Sequence, residues 1–453
     1  MKPKQSFLIS VCHLAIPVAL QSMFQASFSI VDQIMIGQLG SVNVAGVGLA
    51  GKFASVFSVV VSAIGAVAGI MISQYLGQKN NREVKRSLYT NLLLAFGIAV
   101  LFTIICALFP AQIMKLYTKD PKTCQAAATY LIILAGTFIP IAGATLLSTL
   151  FRCMEKASLP LYASIISAIL NTGLNYILIF GKFGLPAMGI KGAAVATVIS
   201  QCASFILMLV MIPKSMSLLT FPEDTHKIGT GFDWKQYGSM LLPILVCELM
   251  WSLGENVYAA IYGNMGTEAS AAMTLINPIQ GLMIGALCGL SQAASVIIGK
   301  KLGSREYDDA YIASGKLIQY GAVGSVMLSF MVILTSSLYV EIFQVEEYVK
   351  SLTTQILYAY AIIAPFKVLN MILGSGIIRS GGKTKYVMVI DIIGTWLIGV
   401  PLGIISAFVL KLSIPYVYFI LSLEECVRFA ISLVVFSRKK WMASLSETRT
   451  ELM

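Results

Sequence analysis

The sequence predicts an all-α integral membrane protein with twelve transmembrane helices in two six-helix bundles, related by a pseudo-two-fold axis along the membrane normal. Three observations lead to this fold class. Hydrophobic residues make up 57% of the 453 residues and charged residues only 12%, which leaves too little polar surface for soluble domains. Apolar runs long enough to cross a bilayer recur along the whole chain. The second half also repeats features of the first half at a fixed offset.

Each apolar run holds roughly 20 residues, the length that an α-helix needs to cross the hydrocarbon core. The runs are uniformly apolar, whereas the strands of a membrane barrel alternate polar and apolar residues. The runs therefore predict helices. We expect spans at residues 8–36, 47–76, 88–114, 125–150, 160–181, 190–213, 237–262, 274–299, 313–340, 352–377, 386–409 and 413–436.

The basic residues predict the orientation of the chain. An even number of spans places both termini on one side, and most of the 32 Lys and Arg residues lie on that side, as is typical of cytoplasmic loops. We therefore predict a multi-pass protein of the cell membrane, in contact with lipids, with both termini cytoplasmic. The net charge of +11 does not predict a nucleic-acid partner, because no basic stripe interleaved with aromatic residues lies on a soluble segment.

The most polar internal stretch lies near the midpoint and contains Pro222 and several glycines, which is typical of a linker. This predicts an N-terminal lobe at 1–213, a cytoplasmic linker at 214–236, a C-terminal lobe at 237–436 and a cytoplasmic tail at 437–453. We expect the protein to be a monomer.

A comparison of the two halves predicts an internal duplication. Near the fourth and tenth helices, sliding the second half back along the first places Arg379 on Arg152. Two halves with six spans each enter the membrane in the same orientation, so a cleft is expected between them. Over the first two helices of each half, a single offset without gaps aligns Pro17 with Pro243, Gly37 with Gly263, Gly40 with Gly266, Ala45 with Ala271, and Gly77 with Gly303.

No motif of an enzyme, a metal site or a nucleotide site occurs in the sequence. HExxH, GxSxG and GxxxxGK[ST] are absent, so we expect neither catalysis nor ATP-driven transport. The eight cysteines form no CxxC pair, and we interpret them as small core residues. His13 and His226 have no partners at ligand spacing. We therefore expect no cofactor beyond a coupling ion.

Charged residues inside the spans are costly and by default indicate a functional site. Asp32 and Glu255 are the most informative, because the repeat offset aligns Glu255 with Ser29, one helical turn from Asp32. Each half thus places one carboxylate at a similar depth on its first helix, although a carboxylate at the outer mouth that merely reaches water is the alternative. The full set is Asp32, Lys52, Glu248, Glu255, Lys367, Asp391, Glu424, Glu425 and Arg428.

The other charged positions carry weaker predictions. Glu248 lies two turns from Glu255 on the same side of its helix, which predicts an acidic stripe toward the cleft, or a protonated or locally bonded carboxyl group. Glu248, Lys367 and Asp391 are candidates to line the substrate cleft. Glu424, Glu425 and Arg428 are expected to pair with one another.

Two asparagines of the fifth helix are candidates for a cation site. Asn171 and Asn175 are four residues apart and share a face, where their amide oxygens could complete a cation shell begun by Asp32. Asparagine pairs also join membrane helices to one another. Thr197 could add a hydroxyl group, or bond back to its own helix.

Pro17 and Pro243 lie at equivalent positions in the two halves. Each removes one backbone hydrogen bond from the first helix of its half, so each helix could bend there. We predict hinges at both residues, with a static kink as the alternative.

Several motifs resemble the multidrug and toxic compound extrusion (MATE) family, and the resemblance covers nearly the whole chain. The first helix has a proline and ends Asp32-Gln-Ile-Met-Ile-Gly-Gln-Leu-Gly, and the seventh has a proline and then Glu255. The stretches Gln74-Tyr-Leu-Gly and Gly376-Ile-Ile-Arg-Ser-Gly-Gly-Lys-Thr-Lys also match. The resemblance implies export of cationic, amphipathic drugs in exchange for Na⁺ or H⁺ by alternating access.

The same resemblance implies roles for individual residues. Asp32 matches the first-helix aspartate that couples transport to the cation. Asn171 and Asn175 match the neighbouring fifth-helix pair of the NorM-type bacterial branch, and Thr197 matches a sixth-helix threonine more loosely. Glu255 matches the seventh-helix glutamate of that branch, a cation ligand of the C-terminal lobe.

One departure concerns the tenth helix. Where the NorM-type branch has an aspartate, this sequence reads Pro365-Phe-Lys-Val-Leu-Asn, which contains Lys367 and no acid. We predict that Lys367 pairs with Glu255 or Glu248 and that coupling runs through Asp32. The competing function is a flippase for a lipid-linked or polyanionic precursor, which would require several basic residues in the cleft. Among the deep positions of the two lobes, the sequence suggests only Lys367 and Lys52.

Overall fold

The structure, a computed structural model, describes residues 7–212, 232–343 and 345–446. In these ranges, eleven helices are long and apolar enough to cross a membrane. They are α1 (Phe7–Gly37), α2 (Ser41–Gly77), α3 (Asn81–Leu108), α4 (Pro121–Cys153), α5 (Ser158–Phe180), α6 (Ile190–Val210), α7 (Trp234–Asn264), α8 (Thr267–Gly303), α9 (Tyr307–Glu341), α10 (Glu347–Gly381) and α11 (Thr384–Val409). Residue 213, residues 214–231 of the predicted linker, which include His226, and residues 447–453 of the predicted tail lie outside the described residues.

The twelfth predicted span consists of two consecutive helices, together called α12. They run over Ile414–Ser422 and Glu424–Ser437 and meet at Leu423. Each helix is too short to cross a bilayer alone, but together they have the required length. The prediction of an all-α membrane protein with about twelve spans is therefore confirmed.

Side chains at the helix ends explain where several helices begin. Asn80, Asp120 and Asp233 each accept a hydrogen bond from the backbone N–H three residues ahead, at the start of α3, α4 and α7. Such caps satisfy amide groups that have no partner within the helix. At Asp120, the hydroxyl group and the backbone N–H of Thr123 lower the pKa of the carboxyl group below its ordinary value.

The chain divides into two compact units. The N-terminal unit comprises Leu20–Ile72 and Asn80–Phe232, and the C-terminal unit comprises the chain up to Ala19, residues Ser73–Lys79 and the chain from Asp233 onward. The beginning of α1 and the end of α2 therefore cluster with the second half of the sequence. The sequence does not indicate that these two segments belong to the C-terminal unit, because the hydrophobic pattern of the apolar runs does not change at Ala19 or Ser73.

Small residues bring the helices of the N-terminal unit close together. A Cβ atom at Gly143 of α4 would lie 2.2 Å from the ring of Phe205 on α6. At Gly192 of α6, a Cβ atom would lie 2.6 Å from the carbonyl oxygen of Leu178. Helices in membranes pack through such small residues, because there is no hydrophobic gain from leaving lipid.

The end of α2 crosses the end of α8 inside the C-terminal unit, and the two contacts there are reciprocal. A Cβ atom at Gly77 would lie 2.0 Å from the carbonyl oxygen of Lys300, and one at Gly303 would lie 2.0 Å from that of Gln74. Gly77 and Gly303 are also equivalent positions in the internal repeat of the sequence, as are Gln74 and Lys300. The two glycines are thus needed for the same reason, a backbone crossing that leaves no room for a side chain.

A second contact recurs at equivalent positions of the two halves. Arg152 of α4 donates to Gln21 Oε1 at 3.2 Å within the N-terminal unit. Arg379 of α10 contacts Glu248 and Cys247 at 3.4 Å within the C-terminal unit. In each unit, an arginine at the end of its fourth helix therefore binds the first helix of that half.

Helices α10 and α11 depart from regular α-helical geometry. Met371–Ile377 of α10 and both Ile393–Gly399 and Ile405–Val409 of α11 are π-helical. Such wide turns frequently occur at functional sites. The first of them follows directly after Lys367 and Asn370.

Candidate functional site

The structure joins Asp32 to the asparagine pair in the N-terminal unit. Asn175 Nδ2 donates a short hydrogen bond to Asp32 Oδ1 and a second one to Asn171 Oδ1, at 3.2 Å. Asn171 Nδ2 in turn points to Thr197 Oγ1 at 3.5 Å, and the Thr197 hydroxyl group donates to its own helix at Ala193 O. The four residues that the sequence singled out therefore form one array, which connects α1, α5 and α6.

Two oxygen atoms of this array accept no hydrogen bond from the described residues. Asn175 Oδ1 is buried and accepts no hydrogen bond in the structure. Within the described ranges, Asp32 Oδ2 likewise has no donor. Carboxylate and amide oxygens are the ligands that hard cations prefer, so the two free oxygens are of the type that binds a small cation. The bonds of Asn171 and Asn175 also join the three helices, as the alternative interpretation expected, and a role of the pair in cation binding stays a prediction.

Tyr130 of α4 belongs to the same site and was missed by the sequence analysis. Its side chain is 6% exposed and lies beside Thr197 and Asp32. One tyrosine in an apolar run has no distinctive spacing, so only the packing of α4 against α6 reveals it.

Glu255 lies in the C-terminal unit and lines a cavity of about 300 Å³. Lys367, Glu424, Glu425 and four tyrosines line the same cavity. The predicted ion pair between Lys367 and Glu255 is not formed: both residues line this cavity, but neither side chain has an ion-pair partner among the described residues.

A second cavity of about 320 Å³ lies next to the first. Glu248 and Arg379 line it and form an ion pair at 3.4 Å, so the predicted pair of Glu248 with Lys367 is not formed either, although Lys367 lines this cavity too. Arg379 is only 8% exposed, although the sequence suggested a loop position for it. Lys52, the other deep basic residue expected from the sequence, is exposed. Arg379 is buried because the last turn of α10 lies against α7, where its guanidinium group contacts Glu248 and Cys247.

Two of the three charged residues of α12 pair as the sequence predicted, Arg428 with Glu425, and Asp391 joins them, whereas Glu424 accepts a hydrogen bond from Tyr258. Arg428 lies 3.7 Å from Glu425 and 3.5 Å from Asp391 of α11. Asp391 also contacts the Cys247 thiol at 2.6 Å. Cys247 is therefore more than the core filler that the sequence suggested, because it connects Asp391 to Arg379.

The remaining predictions concern cysteines, metals and prolines. All eight cysteines are free thiols, and no group of three His, Cys, Asp or Glu side chains with metal-site geometry occurs in the described ranges. Pro17 and Pro243 lie inside the continuous helices α1 and α7. Whether they act as hinges stays a prediction.

The sequence model of a family described as MatE matches residues 17–177 and 243–405. The chain belongs to the MATE family. The two matched segments begin at Pro17 and Pro243, the prolines that the internal repeat aligns with each other. MATE proteins are transporters and not enzymes, so the chain is a multi-pass membrane transporter.

Curated relatives and solved structures extend over nearly the whole chain. The probable multidrug resistance protein YoeA of Bacillus subtilis is 26% identical over 429 residues, covering 91% of this chain and 90% of that protein. The multidrug resistance protein MdtK of Yersinia enterocolitica is 24% identical, covering 87% of this chain and 86% of that protein. A crystal structure of a MATE transporter in complex with MaL6 superposes with a TM-score of 0.85 at 17% identity, covering 95% of this chain and 96% of that one. This last similarity establishes the fold alone.

Proposed function

We propose that this MATE transporter exports amphipathic organic cations in exchange for Na⁺ or H⁺ by alternating access. Its relatives are named for multidrug resistance. The charges that line the two cavities of the C-terminal unit agree with a cationic substrate, because five carboxyl groups face three basic side chains. The acids are Glu248, Glu255, Asp391, Glu424 and Glu425, and the bases are Lys367, Arg379 and Arg428.

The observation that carries the proposal is the array around Asp32. A carboxylate with a free oxygen next to an unpaired amide oxygen is suited to hold either a proton or a small metal ion. Occupation of Asp32 by an ion neutralises the charge that attracts an organic cation. Ion and substrate then favour different states of the transporter, and the ion gradient supplies the energy through this difference in affinity.

The proposal assigns ion coupling to Asp32, Asn171, Asn175 and Thr197 in the N-terminal lobe, and a secondary role to Glu255. Pro17 and Pro243 are the proposed bending points, and the lobes are those expected at 1–213 and 237–436. Both termini are proposed to be cytoplasmic, since the basic loops lie on their side.

Transport by the purified protein in liposomes tests the coupling. We expect ethidium efflux to accelerate under an imposed Na⁺ gradient or under an imposed pH gradient. Asp32→Asn should abolish this stimulation, because the amide neither ionises nor carries a counter-charge. Asp308→Asn serves as the matched control, because Asp308 is exposed in the first turn of α9.

Two outcomes would contradict the proposal. Full ion-driven efflux in Asp32→Asn, together with its loss in Glu255→Gln, would move coupling to the C-terminal lobe. Stimulation by neither gradient would argue against antiport and favour the flippase for a lipid-linked or polyanionic precursor, for which Arg379, Arg428 and Lys367 could supply positive charge.

A further inference from the structure

The cavity that Glu255 lines has the composition of a binding site for an organic cation. Three carboxyl groups, from Glu255, Glu424 and Glu425, share it with one amine, from Lys367, and with four tyrosine side chains. Carboxylates attract a positive charge, and tyrosine rings bind it through the negative potential of their faces. The volume of about 300 Å³ lies at the lower end of the range for small-molecule sites.

Hydrogen bonds hold the aromatic walls of this cavity in place. The Tyr258 hydroxyl group donates to Glu424 Oε2 at 2.7 Å. Gln280 Nε2 donates to the Tyr418 hydroxyl group at 2.9 Å. The two rings are thus fixed before any ligand arrives, and this arrangement reduces the entropy lost on binding.

Lys367 differs from the other basic residues nearby. Arg379 is paired with Glu248, and Arg428 is paired with Asp391 and Glu425. Within the part of the chain that the structure describes, Lys367 forms neither an ion pair nor a side-chain hydrogen bond. Its ammonium group is attracted by the carboxyl groups of the cavity without direct contact with one of them.

Lys367 also stands where two cavities meet. It lines both the acidic cavity and the neighbouring one that contains Arg379 and Asp391, and it shares this position with Tyr360 and Glu425. A lysine has a long, flexible stem and a compact charge. Its ammonium group can therefore move from one cavity to the other without a change in the backbone.

We propose that Lys367 is a tethered counter-cation of the acidic cavity lined by Glu255, Glu424 and Glu425. This cavity binds a small organic cation in addition to the site at Asp32. Without a ligand, the ammonium group compensates the carboxyl groups of Glu255, Glu424 and Glu425. A ligand cation displaces it toward the neighbouring cavity, because two positive charges in so small a volume repel each other. The lysine thus weakens binding and promotes release. This inference rests on the proposed export of organic cations.

Equilibrium binding of radiolabelled tetraethylammonium to the full-length protein in detergent, without an ion gradient, tests the inference. Lys367→Met should bind tetraethylammonium about tenfold more tightly, because one competing charge is lost. Lys367→Arg keeps the charge and should bind like the original protein, and Glu255→Gln should bind more weakly. Lys350→Met is the control, since Lys350 pairs with the exposed Glu347 at the start of α10, outside the cavity.

Unchanged or weaker binding by Lys367→Met would overturn the proposal, as would equal tightening in Lys350→Met. If Lys367→Met does not yield folded protein, Glu255→Gln decides, and an unchanged affinity there rejects the site. Asp32→Asn separates this inference from the coupling mechanism. If Asp32→Asn retains ion-driven efflux, the coupling role of Asp32 is rejected. Tighter tetraethylammonium binding by Lys367→Met would still support Lys367 as a counter-cation in that case.

Discussion

Gln74 and Leu445 are joined by a buried hydrogen bond, in which the backbone N–H of Leu445 donates to Gln74 Oε1 at 2.8 Å. The amide nitrogen of Gln74 donates to Ser380 O at 2.7 Å. One side chain thus connects the end of α2, the end of α10 and the segment that follows α12. The Gln74 side chain is fully buried, so its polar atoms cannot reach water. These hydrogen bonds take the place of the bonds to water that the same atoms make in the unfolded chain.

The segment Trp441–Ser446, called here the C-terminal strap, is held by several such contacts. Trp441 is fully buried and stacks on Phe436 with ring centroids 5.7 Å apart. Gln236, in the first turn of α7, donates to Leu445 O at 2.9 Å. The strap therefore fastens the beginning of α7 and the end of α2 to one another within the C-terminal unit.

Replacement of Gln74 by leucine should destabilise the protein. The backbone N–H of Leu445 and the carbonyl group of Ser380 would lose their buried partner, at a cost of about 1–3 kcal/mol in the free energy of unfolding for an unsatisfied group. We expect a lower melting temperature of the detergent-solubilised protein. Gln355→Leu is the control, because Gln355 is exposed and, among the described residues, its side chain forms a hydrogen bond only with Ser351 on its own helix. An equal fall in melting temperature for both substitutions would argue against a stabilising role of the C-terminal strap.

The reciprocal glycine contact predicts that Gly77→Ala and Gly303→Ala are harmful. An added methyl group at either position would overlap a backbone carbonyl group 2.0 Å away, and such overpacking costs about 1–3 kcal/mol. Gly97→Ala is the matched control, since a Cβ atom there has no neighbour within 4 Å and alanine favours the helix. Thermal stability of the three variants should separate the two crossing glycines from Gly97. Equal melting temperatures would disprove the tight crossing.

Asn175→Ala should impair ion-driven efflux more than folding. The substitution removes the donor to Asp32 Oδ1 and the free amide oxygen beside it. The coupling ion should therefore bind more weakly, so that a higher ion concentration is needed for half-maximal ethidium efflux. Asn256→Ala is the comparison, because in the described ranges the Asn256 side chain forms a hydrogen bond only with the backbone of its own helix. An unaltered ion requirement in Asn175→Ala would remove this residue from the site.

Arg428→Met should be among the most destabilising changes in the C-terminal unit. Arg428 is 7% exposed and lies between Asp391 and Glu425, and loss of one partner of a buried ion pair costs about 3–5 kcal/mol. Lys301→Met provides the comparison, because Lys301 also lies between two acids, Glu306 and Asp309, but at the surface. We expect a large fall in melting temperature for the first variant and a small one for the second. Similar shifts would show that the Arg428 pairs contribute little.

The sequence singled out residues that the structure brings together in the N-terminal unit, because most of them are rare residue types in apolar helices. Asp32, Asn171 and Asn175 are polar groups whose burial is costly without partners, and helical spacing already places the two asparagines on one face. Tyr130 escaped notice because tyrosine is common in membrane helices. The pairing of Glu248 with Arg379 was not predicted, because the packing of the end of α10 against α7 has no signature in the sequence.

By itself, the sequence determined the class of protein, the number of spans and the internal repeat. Each follows from composition and spacing, because a helix must be apolar over a fixed length to cross lipid. Only the tertiary structure decided which charges are neutralised and which remain free. Burial and pairing depend on side chains that lie far apart in the sequence, as Arg379 and Glu248 do, and their distance in space is set by the packing of whole helices.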